Sequence, residues 1–412
     1  MTAVCFYFQV HQPLRVRRYR IFDIGKEHDY FEHRGADNLN NRKVLEKVSN
    51  KCYLPANKVI EELLKKHPNF KVSFSFSGVL LEQLERDQPD VLASFKRLVD
   101  TGKVEVLGET YYHSLAALYS DKEFEAQVRL HSVLVKRLFS FKPKVFRNTE
   151  LIYHNHIADL VAKLGFKGIL AEGADRILGF RSPDFVYQAH RTPIKMLLKN
   201  YRLSDDIAFR FSSREWSEFP LTASKFASWI SARNGAADVI NLFMDYETFG
   251  EHQWEDTGIF EFLKALPEEV ERHPDNRFVT PSEAFDNFPA RETLDVPYYV
   301  SWADIERDLS AWRSNEMQYE ALKRIYDLEK PILASGEGKL LDDWRKLQTS
   351  DHFYYMCTKW FADGDVHKYF NPYESPYDAF IAYINAVNDL QLRVQEGKRA
   401  KRWPATISNE YH

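Results

Sequence analysis

Carboxylates and histidines follow several of the apolar runs that the sequence predicts as strands. The acids at these positions are Glu109, Glu150, Asp245 and Glu247. His11 follows the first apolar run, and His113 lies four residues after Glu109. Because desolvation of a carboxylate is costly, acids placed where buried strands end indicate a functional cleft.

Two carboxylates from separate strands that face one cleft are what glycoside hydrolysis requires. One must be ionised to attack or stabilise the anomeric carbon, and the other must stay protonated to donate to the leaving oxygen. The second group needs a pKa that is raised by burial and by its neighbour's charge. Aromatic side chains such as Trp254 and Trp302 could stack on sugar rings in such a cleft.

Seven β-rich runs, separated by helical stretches, are predicted as the strands that carry these residues. The runs are AVCFYFQV (3–10), KVSFSFS (71–77), KVEVLG (103–108), KVFRNTE (144–150), GILAEG (168–173), IAFRFS (207–212) and VINLFMDYE (239–247). A further run at 277–281 is an eighth strand or a loop. This alternation predicts an α/β fold with parallel strands, either a barrel or an open sheet.

Helices replace strands in the last part of the sequence. In the stretch 375–400, Phe380, Ile384, Val387 and Leu390 recur at spacings of three and four, as on one face of a helix. We therefore predict two regions, a catalytic α/β barrel domain over 1–290 and a C-terminal helical subdomain over 291–412 that packs on it.

Composition limits the partners that the chain could have. The 56 basic and 60 acidic residues leave a net charge of −4, which gives no reason to expect nucleic acid or an anionic membrane. No stretch approaches the roughly 20 apolar residues of a membrane span. The three cysteines, Cys5, Cys52 and Cys357, lack metal-ligand spacing, which favours reduced thiols in a cytoplasmic protein. The sequence leaves the oligomeric state open.

Four motifs, in order and each at a predicted strand end, resemble those of glycoside hydrolase family 57, in particular its shorter α-amylase-type members. They are VHQP, GKVEVLGETYYHS, FRNTELIY and MDYETFGEHQ. The resemblance implies an irregular seven-stranded (β/α)7 barrel followed by a helical region. It also implies retaining chemistry on α-glucans, with an oligo- or polysaccharide substrate, no cofactor and no metal.

The resemblance also implies roles for individual residues. Glu150 matches the nucleophile and Asp245 the acid/base, while His11 and Glu247 match substrate-binding positions. The stretch 300–318 resembles the last family motif, in which Trp302 and Asp304 are the candidates. With Glu109, His113 and Trp254 added from their strand-end or aromatic character, these residues form the predicted site. Family members have a tryptophan shortly before the nucleophile, where this chain reads FRNT, so the exact substrate and the balance of hydrolysis and transfer stay open.

Three other functions are compatible with the same residues. A 4-α-glucanotransferase or branching enzyme would use the same catalytic pair. A metal-dependent carbohydrate hydrolase or deacetylase would use His11, His113, His154 and Asp245 as ligands, although no His-x3-His pair lies beside a strand end. A non-catalytic glucan-binding protein would keep the cleft without turnover.

Overall fold

The protein has an α/β fold in which most strands run parallel. The computed structural model describes residues 2–359 and 366–402. The strands are β1 (Thr2–Val10), β2 (Val72–Phe76), β3 (Val104–Val106), β4 (Val145–Arg147), β5 (Gly168–Glu172), β6 (Tyr187–Ala189), β7 (Lys195–Lys199), β8 (Val239–Asp245), β9 (Asn276–Phe278) and β10 (Thr293–Leu294). The predicted α/β class with parallel strands is confirmed.

The strands form two five-stranded sheets. The first has the order β3-β2-β1-β8, with β9 also paired to β1, and all of its pairings are parallel. The second has the order β10-β6-β7-β5-β4, in which only β6 and β7 pair antiparallel. Continuous ladders therefore give two open sheets among the described residues, and they do not close the seven-stranded barrel that the sequence predicted.

Both faces of the first sheet are buried. Alternate β1 side chains, such as Phe6 and Phe8, pack in the larger apolar cluster with the helices, whereas Cys5 and Tyr7 join a second cluster that also holds β4, β5 and β7 residues. This period of two is the strand period, and burial on both faces is typical of parallel sheets covered by helices. We call the face that bears Tyr7 and the second cluster the inner face.

One predicted strand is wrong. The run at 207–212 was predicted as the sixth strand, but a helix occupies Tyr201–Ala208, and the strand lies earlier, at Lys195–Lys199. Asn200 caps that helix by accepting a hydrogen bond from the Leu203 N–H at 3.2 Å, so the chain turns before the predicted run begins. The run at 277–281 does contain a strand, Asn276–Phe278, which pairs with β1.

The helices begin and end close to their sequence signals. They are α1 (Asn41–Val48), α2 (Leu54–Lys66), α3 (Gly78–Asp87), α4 (Pro89–Asp100), α5 (Asp121–Phe139), α6 (Asn155–Lys163), α7 (Asp175–Leu178), α8 (Tyr201–Ala208), α9 (Ala223–Ser231), α10 (Ile259–Glu271), α11 (Pro281–Asn287), α12 (Glu316–Asp327), α13 (Glu329–Ser335), α14 (Gly338–Lys346), α15 (Ser350–Tyr354), α16 (Val366–Phe370) and α17 (Pro376–Arg402). Thr222 caps α9 through the Lys225 N–H, which satisfies one of the free donors of the first turn. None of the helices described is long and apolar enough to cross a membrane.

The chain divides into two compact units. The first holds both sheets and consists of the chain up to Gln12, Val44–His113 and Asp121–Leu309. The second combines Pro13–Lys43, Ser114–Ser120 and the described residues from Ser310 onward. Within the second unit, the buried Asp389 on α17 accepts hydrogen bonds from Tyr30 Oη at 2.6 Å and from the Gly25 N–H at 2.7 Å. The predicted boundary at residue 290 stays a prediction.

Candidate active site

A ring of polar side chains lies at the carboxyl ends of the strands, on the inner face. Each member comes two residues after a buried inner-face residue of the same strand, and therefore points the same way. The members are Gln9 on β1, Arg147 on β4, Glu172 on β5, Lys199 on β7 and Asp245 on β8. Gln9 and Asp245 are directly opposite each other in the β1–β8 register. The inner face is thus apolar in the middle and charged at one end, which is where active sites of parallel α/β proteins lie.

Glu150 occupies a short 3-10 turn that directly follows β4. Its backbone is left-handed, with φ 57° and ψ 24°, a conformation that non-glycine residues adopt rarely and often at functional sites. Trp302 donates its indole Nε1–H to Glu150 Oε2 at 2.8 Å, and the Trp302 N–H donates to the Glu150 carbonyl at 3.2 Å. The turn therefore presents the carboxylate to the cleft, and Trp302 fixes its orientation.

His113 lies between two carboxylates. Its Nδ1 is 3.2 Å from Glu109 Oε2, and its Nε2 is 3.5 Å from Glu150 Oε1. Burial lowers the pKa of His113, but the bonds to Glu109 and Glu150 outweigh it and raise that pKa to about 9. Burial raises the pKa of Glu109, and the His113 partner reverses this, so that it is below its ordinary value. At neutral pH a protonated His113 therefore joins the ionised Glu109 to Glu150.

His11 joins this group from the first strand. Its ring stacks on that of His113 with centroids 4.0 Å apart. Its Nδ1 is 2.6 Å from Ser77 Oγ, and its backbone N–H donates to Glu247 Oε1 at 3.3 Å. The histidine after the first strand and the second acid after β8 are thus in direct contact.

Asp245 and Glu247 both have raised pKa values. Burial, followed by the charge of Glu150, raises the pKa of Asp245 to about 6, although Arg147, Lys199 and His113 act against this. Burial and the charge of Asp245 raise the pKa of Glu247 to about 8, while a hydrogen bond donated by the Tyr53 hydroxyl opposes the rise. Two carboxyl groups in the cleft thus hold protons far more readily than free acids do.

The structure brings together seven of the nine predicted site residues. These are His11, Glu109, His113, Glu150, Asp245, Glu247 and Trp302. Trp254 lies in an exposed loop, where its Nε1–H donates to the Glu251 carbonyl at 3.1 Å and Lys51 lies 4.9 Å from the ring centroid. Asp304 has a left-handed backbone, and its carbonyl accepts a hydrogen bond from Arg307 at 3.4 Å. Among the described residues, these contacts of Trp254 are with Glu251 and Lys51 and not with the other seven.

Sequence reasoning missed three charged members of the ring. They are Arg147, Glu172 and Lys199, of which Lys199 lies on a strand that the sequence did not predict. Lys199 Nζ is 3.0 Å from Asp205 Oδ1 and 4.0 Å from Glu172 Oε2. The signal that could have found all three is a charge two residues after an inward-facing apolar residue at a strand end.

Of the metal-ligand set considered for a deacetylase, His154 has another role, whereas the ring nitrogens of His11 and His113 lie close enough to reach one ion. His154 caps α6 by accepting from the His156 N–H, and its Nε2 is 3.1 Å from the Pro297 carbonyl, so it serves the turn before α6. His113 faces a carboxylate with each ring nitrogen.

A charged carboxylate beside a carboxyl group of raised pKa, in a cleft at the ends of parallel strands, is typical of glycoside hydrolases. The family model described as glycosyl hydrolase family 57 matches residues 5–297. The chain is 43% identical over 404 residues to the "Putative alpha-amylase" of Methanocaldococcus jannaschii, which covers 95% of this chain and 85% of that protein. The chain belongs to glycosyl hydrolase family 57, as its motifs predicted.

Two solved structures show the same fold. A GH57 branching enzyme from Thermococcus kodakaraensis aligns with a TM-score of 0.67 and 14% identity, over 100% of this chain and 92% of that one. The 4-alpha-glucanotransferase from Thermococcus litoralis aligns with a TM-score of 0.65 and 18% identity, over 85% of this chain and 56% of that one. At these identities the likeness concerns the fold.

Proposed function

We propose that the chain is a retaining glycosidase acting on α-glucans, with Glu150 as the nucleophile and Asp245 as the acid/base. The observation that carries this proposal is the difference between the two carboxyl groups. Glu150 accepts a hydrogen bond from Trp302 and faces the protonated His113, both of which favour its ionised form. Asp245 has a pKa raised to about 6 by burial and by the charge of Glu150.

In the first step, a Glu150 carboxylate oxygen attacks the anomeric carbon while Asp245 gives its proton to the glycosidic oxygen. The bond between that carbon and oxygen breaks, the leaving glucan departs as an alcohol, and a glycosyl ester forms on Glu150. Asp245 is now ionised and takes a proton from water, whose oxygen attacks the same carbon and releases Glu150. Two inversions retain the anomeric configuration.

Neutral Glu247 would bind substrate rather than react with it. A carboxylic acid with a pKa of about 8 can donate one hydrogen bond to a sugar hydroxyl and accept another. The Tyr53 hydroxyl and the His11 N–H already hold its Oε1, so its other oxygen remains for this contact. Glu150 would be held by His113, which in turn contacts Glu109 and stacks on His11. The two histidines would also bind the substrate.

The glucan substrate is inferred from the relatives. The protein at 43% identity carries the name of an alpha-amylase, which favours hydrolysis of α-1,4 linkages. Transfer to a sugar hydroxyl would use the same residues, since only the acceptor in the second step differs. The names of the two structural neighbours make branching and 4-α-glucan transfer the products to look for beside hydrolysis.

The test is turnover of maltooligosaccharides by the wild-type protein, Glu150→Gln and Asp245→Asn, with anomeric analysis of the products by NMR. Each variant should lose roughly a thousandfold or more in kcat, and wild-type products should have the α configuration first. Glu105→Gln is the matched control, because Glu105 is a buried acid of β3 that accepts the Ser282 N–H at 2.8 Å, outside the cleft. If the wild type, the two cleft variants and the Glu105→Gln control all turn over substrate at the same rate, the proposal is refuted.

A second measurement separates a missing nucleophile from a damaged fold. With Glu150→Ala, added azide should react at the anomeric carbon and give a β-glycosyl azide, because the small anion enters the space that the carboxylate leaves. Azide should not restore the activity of Asp245→Ala on a substrate whose leaving oxygen must be protonated. A product of α configuration from the Glu150 variant would assign the nucleophile elsewhere.

We also propose that the two sheets together make an incomplete seven-stranded barrel. Support comes from both edges. Gly108 after β3 donates to the Val145 carbonyl at 2.9 Å and accepts from the Arg147 N–H at 2.8 Å, while Asn200 after β7 donates to the Asn241 carbonyl at 2.9 Å. The helical subdomain over 291–412 and the cytoplasmic location remain predictions.

A further inference from the structure

Arg147 is a fully buried cation whose guanidinium group has no hydrogen bond. Its exposed fraction is 0%, and none of its three side-chain nitrogens has a hydrogen-bond partner among the described residues. A buried charge costs several kcal/mol unless charges or dipoles around it compensate. An arginine also stays protonated at every accessible pH. Its position therefore needs compensation from the acids of the cleft.

The guanidinium lies against the residue that holds the proposed nucleophile. Arg147 Cζ is 4.7 Å from the centroid of the Trp302 ring, within the range of a cation–π interaction. The indole Nε1–H of the same ring donates to Glu150 Oε2 at 2.8 Å. A cation over the ring draws electron density from the indole and makes its N–H a stronger donor. Arg147 thereby supports the charge on Glu150 without touching it.

The ring of Trp302 has a second cation over it, and its stacking on a sugar stays a prediction. Lys199 Nζ also lies over it, 5.5 Å from the centroid. The two cations differ in their surroundings, because Lys199 is paired with Asp205 at 3.0 Å, whereas Arg147 has no such partner. Both charges act on the cleft, but only that of Lys199 is offset by an ion pair among the described residues.

The charged groups that face Asp245 come from several elements. The charged ones are Glu150 after β4, Arg147 on β4, Lys199 on β7 and His113 after β3, and the neutral Glu247 follows β8. Of these, Glu150 opposes ionisation of Asp245, and Arg147, Lys199 and His113 favour it. Arg147 has the largest effect of the groups that favour ionisation, and its charge cannot be removed by pH.

We propose that Arg147 is a positioning residue of the reaction, which holds Glu150 through Trp302 and places a buried positive charge, without a hydrogen bond among the described residues, beside the acids of the cleft. This inference rests on the proposed function. It predicts that loss of the positive charge moves the proton equilibria of the cleft, whereas a merely structural arginine would affect only the amount of folded protein.

The experiment compares Arg147→Met, which removes the charge and keeps much of the bulk, with Arg147→Lys, which keeps the charge. The alkaline limb of the kcat/KM profile, which reports Asp245, should move upward by about one pH unit in Arg147→Met. It should stay within about 0.3 unit of the wild type in Arg147→Lys. Lys199→Met, which removes a charge that is already paired, should move the limb less than Arg147→Met.

A titration that needs no turnover distinguishes failure of this inference from failure of the proposed function. Infrared difference spectra of protein with 13C-labelled aspartate, assigned with Asp245→Asn, should show Asp245 ionising at higher pH in Arg147→Met. If wild-type protein has no glucan activity but this shift is present, the charge effect holds and the reaction assignment fails. If the Asp245 titration is the same in wild type and Arg147→Met, the inference is overturned. Should Arg147→Met not fold, the comparison is made with Trp302→Phe, which removes the hydrogen bond to Glu150. The acid limb of the kcat/KM profile, which reports Glu150, must then move to higher pH, and an unchanged acid limb overturns the inference.

Discussion

The contact between Glu109 and His113 allows a test of the cleft's electrostatics that does not depend on activity. We consider Glu109→Gln, which keeps the shape of the side chain and removes its charge. Glu109 is fully buried and lies 3.2 Å from His113 Nδ1, while Gln9 donates to both of its oxygens at 3.3 and 3.4 Å. The variant leaves His113 its contact with Glu150.

The magnitude follows from the pKa of His113, which the fold raises from 6.5 to about 9. A gap of this size corresponds to roughly 3 kcal/mol at about 1.4 kcal/mol per pH unit. Because the folded pKa is the higher one, this stabilisation is fully present below pH 6.5 and is lost as the pH rises through about 9. Glu109 is the closer of the two partners, so we expect its removal to cost roughly 2 kcal/mol at pH 6.

The assay is urea unfolding of the wild type and Glu109→Gln at intervals from pH 6 to pH 9.5. The difference in unfolding free energy should fall from roughly 2 kcal/mol to under about 0.5 kcal/mol across this range. Glu105→Gln removes an equally buried acid that has no histidine partner, and its effect should be constant between pH 7 and 9.5. A constant difference for Glu109→Gln as well would refute the ionised His113–Glu109 pair.

Two further predictions concern the last residue of β8 and the segment that follows this strand. Since the pKa of Asp245 is about 6, kcat/KM should fall tenfold per unit above that pH, with about a tenth of the plateau left at pH 7; a plateau that extends to pH 8 would contradict this in a stopped assay on maltooligosaccharides. Gly250 has φ 112°, and a Cβ there would clash with the Lys51 carbonyl oxygen, so Gly250→Ala should lower the free energy of unfolding by roughly 3 kcal/mol or more. Gly235 has φ 86° and open space around it, so Gly235→Ala should cost about 1 kcal/mol, and equal losses in urea unfolding would exclude the clash.

Strands that are long, nearly continuous apolar runs were predictable, and short strands that depend on their surroundings were not. β1 and β8 are long and apolar, and both were predicted close to their observed bounds. The strand that replaces the predicted sixth one is β7, with the sequence KMLLK. It is short and has a lysine at each end, so its pattern resembles one turn of an amphipathic helix as much as a strand. The run at 207–212 has β-rich composition, but the Asn200 cap commits the preceding residues to a helix, and tertiary context decides against its propensity.

The acids and histidines of the cleft could be singled out because they lie at strand ends, and their catalytic roles stay predictions. The groups that tune them could not be singled out, because their types are common in structural roles. An arginine three residues before Glu150 suggests an ion pair, and only the fold reveals that it is buried against Trp302, 155 positions further along the chain. The tyrosine that donates to Glu247 comes from a π-helical turn at Ser49–Tyr53, for which the sequence has no comparable signal.

Proton distribution in the cleft depends on which acid has a charged hydrogen-bond donor. Glu109 is the most deeply buried of these acids, yet its pKa is below the ordinary value because His113 contacts it. Glu172 is buried to a similar degree, its oxygens have no hydrogen bond among the described residues, and its pKa is raised to about 7 although Lys199 is 4.0 Å away. Burial alone would protonate both, so contact with a charged donor, and not depth, separates Glu109 from Glu172 and Glu247. Asp245, which faces its cations without a hydrogen bond from them, therefore has the intermediate proton affinity that an acid/base needs.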